Sequence, residues 1–299
     1  MQAGIIKIGR RLVLKKGLKG LKAVAFVVVA VVAALYYYIE LPAINIHSPG
    51  FWKFIIFVML IVTVEVWLMN HRKAAGGGRY RGNISAKEFF SDFKTQAGSV
   101  LFKTAFVCTV ILVVLYVAGN ILSSPVINAS KYQQLLKVET RNFTDDIKEV
   151  SYDKIPLLDK DSASIIGTRV MGTMVDMVSQ YEVDDMYSQI NYKEKPVRVT
   201  PLRYGNLIKW FTNHKNGIPA YIRIDMTTQE AECVRLTEGI KYSKSDHFSR
   251  YIYRHLRFAY PTYIFDDINF EIDDNGTPYW VCPVKKYNIG LFGGQTVGR

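Results

Sequence analysis

The chain has 299 residues, 49% of them apolar, with a formal net charge of +12 and three cysteines. That apolar share is too high for one soluble domain, yet a mean hydropathy of +0.06 is too polar for a chain embedded in lipid throughout. Residues 1–121 hold 15 Lys and Arg against 4 Asp and Glu, whereas residues 122–299 hold 23 against 22. The basic excess therefore lies beside apolar segments and not on a folded domain, which excludes nucleic acid as a partner.

Residues 1–22 form a basic tail with Lys7, Arg10, Arg11, Lys15, Lys16, Lys19 and Lys22 and no acid. Gly9–Lys15 resembles the twin-arginine export motif, though a pair of arginines is common in a basic tail. The first apolar run, Ala23–Ile39, is uncharged and long enough to span about 26 Å as a helix. Bulky tyrosines follow it where a signal cleavage site would need small residues, so it reads as an anchor. Tyr36, Tyr37 and Tyr38 suit a membrane interface, because a phenol is apolar in body and wet at its tip. Phe51–Met69 is the second run, with Trp52 and Trp67 as interfacial anchors near its two ends. Its lone acid, Glu65, lies within reach of water near one end, and transport chemistry would need a second such group. Ala105–Leu122 is the third run.

The loop between the first two runs carries only Glu40 and Lys53, while residues 70–104 carry seven Lys and Arg against two acids. The positive-inside rule then predicts a cytoplasmic N-terminus and an extracytoplasmic C-terminal domain. Within the basic loop, Ala74–Gly78 reads as a hinge, and Ser85 with Glu88 as a capping box. The helix so opened, Lys87–Gln96, carries Phe89, Phe90 and Phe93 and reads as amphipathic on the inner leaflet.

From residue 123 the composition is that of a soluble domain. The pattern predicts helices at Ser130–Val138 and Ser162–Met177, then strands at Ser179–Val183, Ser188–Tyr192 and Val197–Thr200, the last two joined as a hairpin by the turn Lys193–Pro196. Pro201 is expected to open a helix through Thr212. Pro219–Met226 alternates, with Tyr221, Arg223 and Asp225 on one face and Ile222 and Ile224 on the other, and Ala231–Leu236 returns as its hairpin partner. A helix over Asp246–Ala259 follows, then a hairpin of Asn269–Ile272 and Tyr279–Val284 around Asn275-Gly276, expected as a type I′ turn. Gln295–Val297 reads as the start of a further strand, so the chain is expected to continue past Arg299. The fold class is three transmembrane α-helices plus an α+β extracytoplasmic domain with antiparallel hairpins.

Residues 221–230 (YIRIDMTTQE) resemble the Y-x-V-x-V-D-x-x-T-G-E hairpin of PepSY-type extracytoplasmic modules, with Gln229 where that family has glycine. More broadly, residues 150–299 look like a group of multi-pass membrane proteins of Gram-positive bacteria. The first resemblance implies binding or inhibition of envelope peptidases, and the second a location without an activity.

Local signatures of catalysis are missing: there is no G-x-S-x-G, S-x-x-K or H-E-x-x-H. His214, His247 and His255 are isolated, and no cofactor or metal is expected. Asp266, Asp267, Glu271, Asp273 and Asp274 lack the regular calcium-loop spacing and read as turn acids. Cys233 and Cys282 allow one disulfide in an oxidising compartment, while two thiols buried in strands is the simpler reading. On the 246–259 helix, Phe248, Ile252, Leu256 and Ala259 form the expected buried stripe. Arg250, Arg254 and Arg257, with Tyr253 beside them, line the opposite side as candidate ligands for phosphate or an anionic wall polymer.

The pattern favours a membrane-anchored binding or scaffold protein of the cell envelope, with lipid and an envelope protein or wall polymer as partners. The alternatives are an envelope hydrolase or transferase with a dispersed active site, and a transmembrane sensor.

Overall fold

The computed structural model describes residues 23–74, 99–147 and 149–299. The basic tail, the hinge, the capping box and the amphipathic helix expected at Lys87–Gln96 lie outside the described residues. By contact the chain divides into two units: one runs to Ala129 and includes Tyr287–Gly293, and the other comprises Ser130–Lys286 with Gly294–Arg299.

In the first unit three helices are long and apolar enough to cross a membrane: α1 (Ala23–Glu40), the helix α2 (Pro49–Ala74) and α3 (Val100–Leu122). The last starts five residues before its apolar run and takes in Lys103. Tyr36 packs its ring 5.6 Å from Phe54 and 4.6 Å from Phe57, and Tyr37 lies 5.9 Å from Phe54. These two tyrosines therefore join α1 to α2. Trp52 Nε1 donates to the Ile46 carbonyl at 2.7 Å and so fixes the short loop between those helices. Tyr38 and Trp67 are half-buried. Between α2 and α3 the hydroxyls of Thr63 and Thr109 meet at 3.0 Å, both buried, which is how polar groups are satisfied among apolar helices.

The turn at Tyr287–Gly293 is seated on this helical unit. Ser123 Oγ, at the end of α3, accepts from the Leu291 N–H at 3.0 Å, and His47 Nδ1 donates to the Gly290 carbonyl at 2.8 Å. Gly119 makes room for Leu291, since a Cβ there would lie 3.2 Å from its side chain. Gly290 has φ +58°, and any side chain on it would run into Ser123 Oγ. This seat was not legible in the sequence, because its five residues lie in three separate segments.

The helix α4 (Pro125–Gln133), kinked at Asn128, contains the boundary between the units after Ala129, and stands where a helix over Ser130–Val138 was expected. The short helix α5 (Phe143–Asp146) precedes α6 (Lys160–Thr173), which Asp159 caps by accepting from the Ser162 N–H at 2.7 Å. A five-stranded antiparallel sheet follows: β1 (Tyr181–Val183), β2 (Ser188–Tyr192), β3 (Lys195–Tyr204), β4 (Ile218–Asp225) and β5 (Ala231–Ile240). Both β1 and β2 pair with β3 on the edge opposite β4, and β5 closes the other side.

Pro201 does not open a helix. It remains in β3 opposite Tyr221, in the gap between Val199, where β2 ends, and Leu202, where β1 begins. No neighbouring strand asks for the N–H that proline lacks, so the strand runs through it. The helix α7 (Leu207–Asn213) comes later, capped by Asn206.

The alternation of β4 has the predicted sense. Ile222 and Ile224 enter one core with Ala163 and Met171 of α6 and Leu202 of β3. Tyr221 enters another with Val197, Val199, Phe270 and Ile272, and all three named β4 residues are fully buried. This second face is covered by the hairpin of β7 (Asn269–Ile272) and β8 (Pro278–Val281), which follows the short strand β6 (Ile264–Phe265). Strands β9 (Val284–Ile289) and β10 (Phe292–Gly298) complete a three-stranded sheet in the order β10-β9-β6.

The β7–β8 connection is not a type I′ turn. Gly276 has positive φ and Asn275 does not. Instead Asp273 organises a longer loop, its carboxylate accepting from the N–H groups of Asn275 and Thr277 at 2.9 and 2.8 Å. The two-residue turn with both φ positive occurs at Lys193 (48°) and Glu194 (62°), between β2 and β3, where no glycine or asparagine marks it.

Candidate functional site

The predicted arginine face does not form as expected. The 246–259 segment is broken at Tyr251, which has an extended ψ, into a 3-10 turn at Phe248–Arg250 and the helix α8 (Ile252–Ala259). The break rotates the register, so Phe248 and Ala259 are exposed and Arg257 is buried. One Arg257 nitrogen donates to the carbonyls of Pro261 and Tyr263 at 3.1 and 2.7 Å, and the guanidinium lies 5.9 Å from the Phe265 ring. Arg254 donates to the Phe248 carbonyl at 2.5 Å, and Arg250 to the Lys241 carbonyl at 3.2 Å. Tyr253 rests 5.5 Å from Tyr251. The three guanidiniums thus hold backbone around α8 and do not converge on one face.

Two histidines that sequence spacing left isolated meet at Trp210. His214 stacks on the indole at 4.4 Å and His247 lies edge-on at 5.7 Å. Beneath them Asp246 is buried, accepting from Trp210 Nε1 at 2.5 Å and from Ser243 Oγ at 3.1 Å. Burial pushes this carboxyl up to about 6, against the pull of both hydrogen bonds. The folded protein therefore holds the Asp246 proton more tightly than the unfolded chain does. Its contribution to stability is complete below about pH 4 and is lost as pH rises through about 6, a span of up to about 3 kcal/mol. Urea titrations of the detergent-solubilised chain between those two pH values should show this fall. Asp246→Asn should flatten the slope, and an unchanged slope would show that another group titrates.

A cleft lies on the sheet face that carries Tyr221. It encloses about 720 Å³ and is lined by Tyr192, Lys193, Lys195, Val197, Arg223, Asp225 and residues 230–232. Strand alternation places these side chains together. Val197 is the register partner of Asp225, and Arg223 that of Glu232. The Arg223 guanidinium lies 4.2 Å from the centre of the Tyr192 ring and pairs with Glu232. Lys195 Nζ stands 3.9 Å from Asp225. Burial works against the Asp225 charge, but hydrogen bonds from Thr227 and Thr228 and the nearby Lys195 outweigh it and hold the carboxyl below its usual range. Burial likewise opposes ionisation of Tyr192, and Lys193 and Arg223 more than offset it. The cleft is thus a compact array of both charge signs against one aromatic ring.

Two turns bound the cleft, and both hold non-glycine residues in the left-handed region. Lys193 and Glu194 lie between Tyr192 and Lys195, and Gln229 (φ +62°) lies between Asp225 and Glu230. Only Leu41 and Phe248 share that conformation among the other described non-glycine residues. Such strain persists where surrounding structure imposes it, and it clusters at ligand sites. A second depression of about 580 Å³ is lined by Asp266, Asp267, Asn269, Glu271 and Arg299. Its acids are engaged elsewhere in part, with Asp266 paired to Lys285 at 2.6 Å. Cys233 and Cys282 are free, half-buried thiols. Among the described residues no group of three or more His, Cys, Asp or Glu is placed to hold a metal ion.

The architecture defines a chain with three helices long and apolar enough to span a membrane, followed by a C-terminal antiparallel sheet domain. No family model, curated protein or solved structure matches it.

Proposed function

We propose that the chain is a membrane-anchored binding protein of the cell envelope. It has three spans, a cytoplasmic N-terminus and an extracytoplasmic sheet domain that holds a short peptide in the Tyr192–Arg223–Glu232 cleft. The charge asymmetry of the loops supports the orientation. Labelling of cysteines introduced at positions 80 and 240 in intact cells checks it: reaction at 240 alone is expected, and reaction at 80 alone reverses the topology.

The observation that carries the binding site is a cleft of mixed charge with left-handed Lys193 in its lining and left-handed Glu194 and Gln229 each next to a lining residue. Its chemistry suits a zwitterionic peptide. Asp225 and Glu232 accept an ammonium group, Lys195 and Arg223 bind a carboxylate, and Tyr192 offers a ring to pack on. The positive φ of Gln229, at the position where PepSY-type hairpins have glycine, supports reading β4–β5 as a PepSY-like hairpin. Calorimetric titration of the detergent-solubilised full chain with tetra-alanine bearing free termini tests the site. Saturable binding is expected, with loss on acetylating and amidating the termini. Equal heats from the free and blocked peptides would refute charge recognition.

A further inference from the structure

The elements around Trp210 carry a surface that the cleft does not use. Ile208 of α7 is 78% exposed, Phe211 56% and Phe248 49%. The rings of Phe211 and Phe248 lie 6.0 Å apart, and both pack against Trp210, at 5.0 and 5.5 Å. These side chains therefore form one patch and not scattered exposures. Phe248 adopts φ +48°, a conformation that a bulky aromatic rarely takes. It is held there by its carbonyl, which accepts from Arg254 at 2.5 Å and from the Tyr251 N–H at 3.3 Å. Backbone strain thus maintains an exposed apolar ring.

The two segments that carry this tip are one-sided in charge, and Glu182, which lies beside Lys209 from β1, is paired with Arg203 at 3.3 Å. Residues 206–215 contain Lys209 and Lys215 and no acid. Residues 241–250 contain Lys241, Lys244 and Arg250 and a single acid, Asp246, which is buried under Trp210. An apolar tip on two segments whose unburied charges are all cationic matches the interface of an anionic bilayer, where rings enter the acyl boundary and ammonium groups stay among phosphates. A protein surface presents mixed charge and satisfies such cations less uniformly. This inference rests on the membrane anchoring proposed above, which already holds the chain at a bilayer through its three apolar helices. Such anchoring keeps lipid at high effective concentration.

We propose that the Ile208–Phe211–Phe248 patch docks on an anionic lipid surface. Hydrogen exchange of the full chain in nanodiscs, with and without phosphatidylglycerol, tests this. Amides of 207–213 and 244–250 should exchange at least about threefold more slowly in the anionic discs, with β3 and β4 unchanged. Phe211→Asp with Phe248→Asp should abolish the difference. If that pair disturbs β3, Lys209→Gln with Lys215→Gln and Lys244→Gln should reduce it without touching the rings. Equal exchange in the two lipids, or slowing that survives these substitutions, overturns the proposal.

Discussion

Phe270→Ala is expected to lower the stability of the sheet domain by about 3–5 kcal/mol, the usual cost of emptying a large buried aromatic site. Phe270 is fully buried, its ring 5.9 Å from Tyr221 and 5.3 Å from Trp280, and it is the main contact that seats β7–β8 on the sheet. The same seat brings Gly276 to Tyr221, whose hydroxyl donates to the Gly276 carbonyl at 2.8 Å. Thermal melting of the detergent-solubilised chain, followed by near-ultraviolet circular dichroism, should show a fall of roughly 6–12 °C or more. A fall of only a degree or two would mean that the hairpin is not a packed layer.

Arg257→Ala is the second large effect, at about 2–4 kcal/mol, because a buried charged donor would be removed from carbonyls that then lack it. The bonds to Pro261 and Tyr263 hold the chain where α8 ends and β6 begins. Arg257→Lys should recover little, since an ammonium lacks the planar guanidinium that bonds both carbonyls while lying over Phe265. The same melting experiment separates this structural role from a ligand-binding one: an exposed binding arginine would leave the melt unchanged.

These two residues also mark how far the sequence could be read. Alternation in β4 was legible because a period of two on a half-buried strand leaves few other solutions, and Ile222 and Ile224 face the core it implies. The three helices long and apolar enough to span a membrane were legible from the apolar runs alone. Pro201 misled because its tolerance in β3 depends on a gap between two partner strands, which is a property of the sheet and not of its neighbours in sequence. The 246–259 segment misled for a related reason. A perfect helical stripe from Phe248 to Ala259 counts for nothing once the backbone extends at Tyr251, and the rotation exchanges Arg257 for Phe248 in the core. At the candidate site, the alternation did place Tyr221, Arg223 and Asp225 on one face. Tyr192, Lys195 and Glu232 join them only through strand pairing; the turn after Tyr192 was legible, but its left-handed Lys193 and Glu194 carry no glycine or asparagine to mark that conformation.

The role assigned to the cleft is tested most directly by titrating free-ended tetra-alanine into three full-length proteins side by side: the unsubstituted chain, Arg223→Ala and Arg250→Ala. Binding should weaken by about tenfold or more in Arg223→Ala, the loss of one charge-assisted contact, and stay unchanged in Arg250→Ala. Full affinity in Arg223→Ala, or a loss confined to Arg250→Ala, would contradict the assignment.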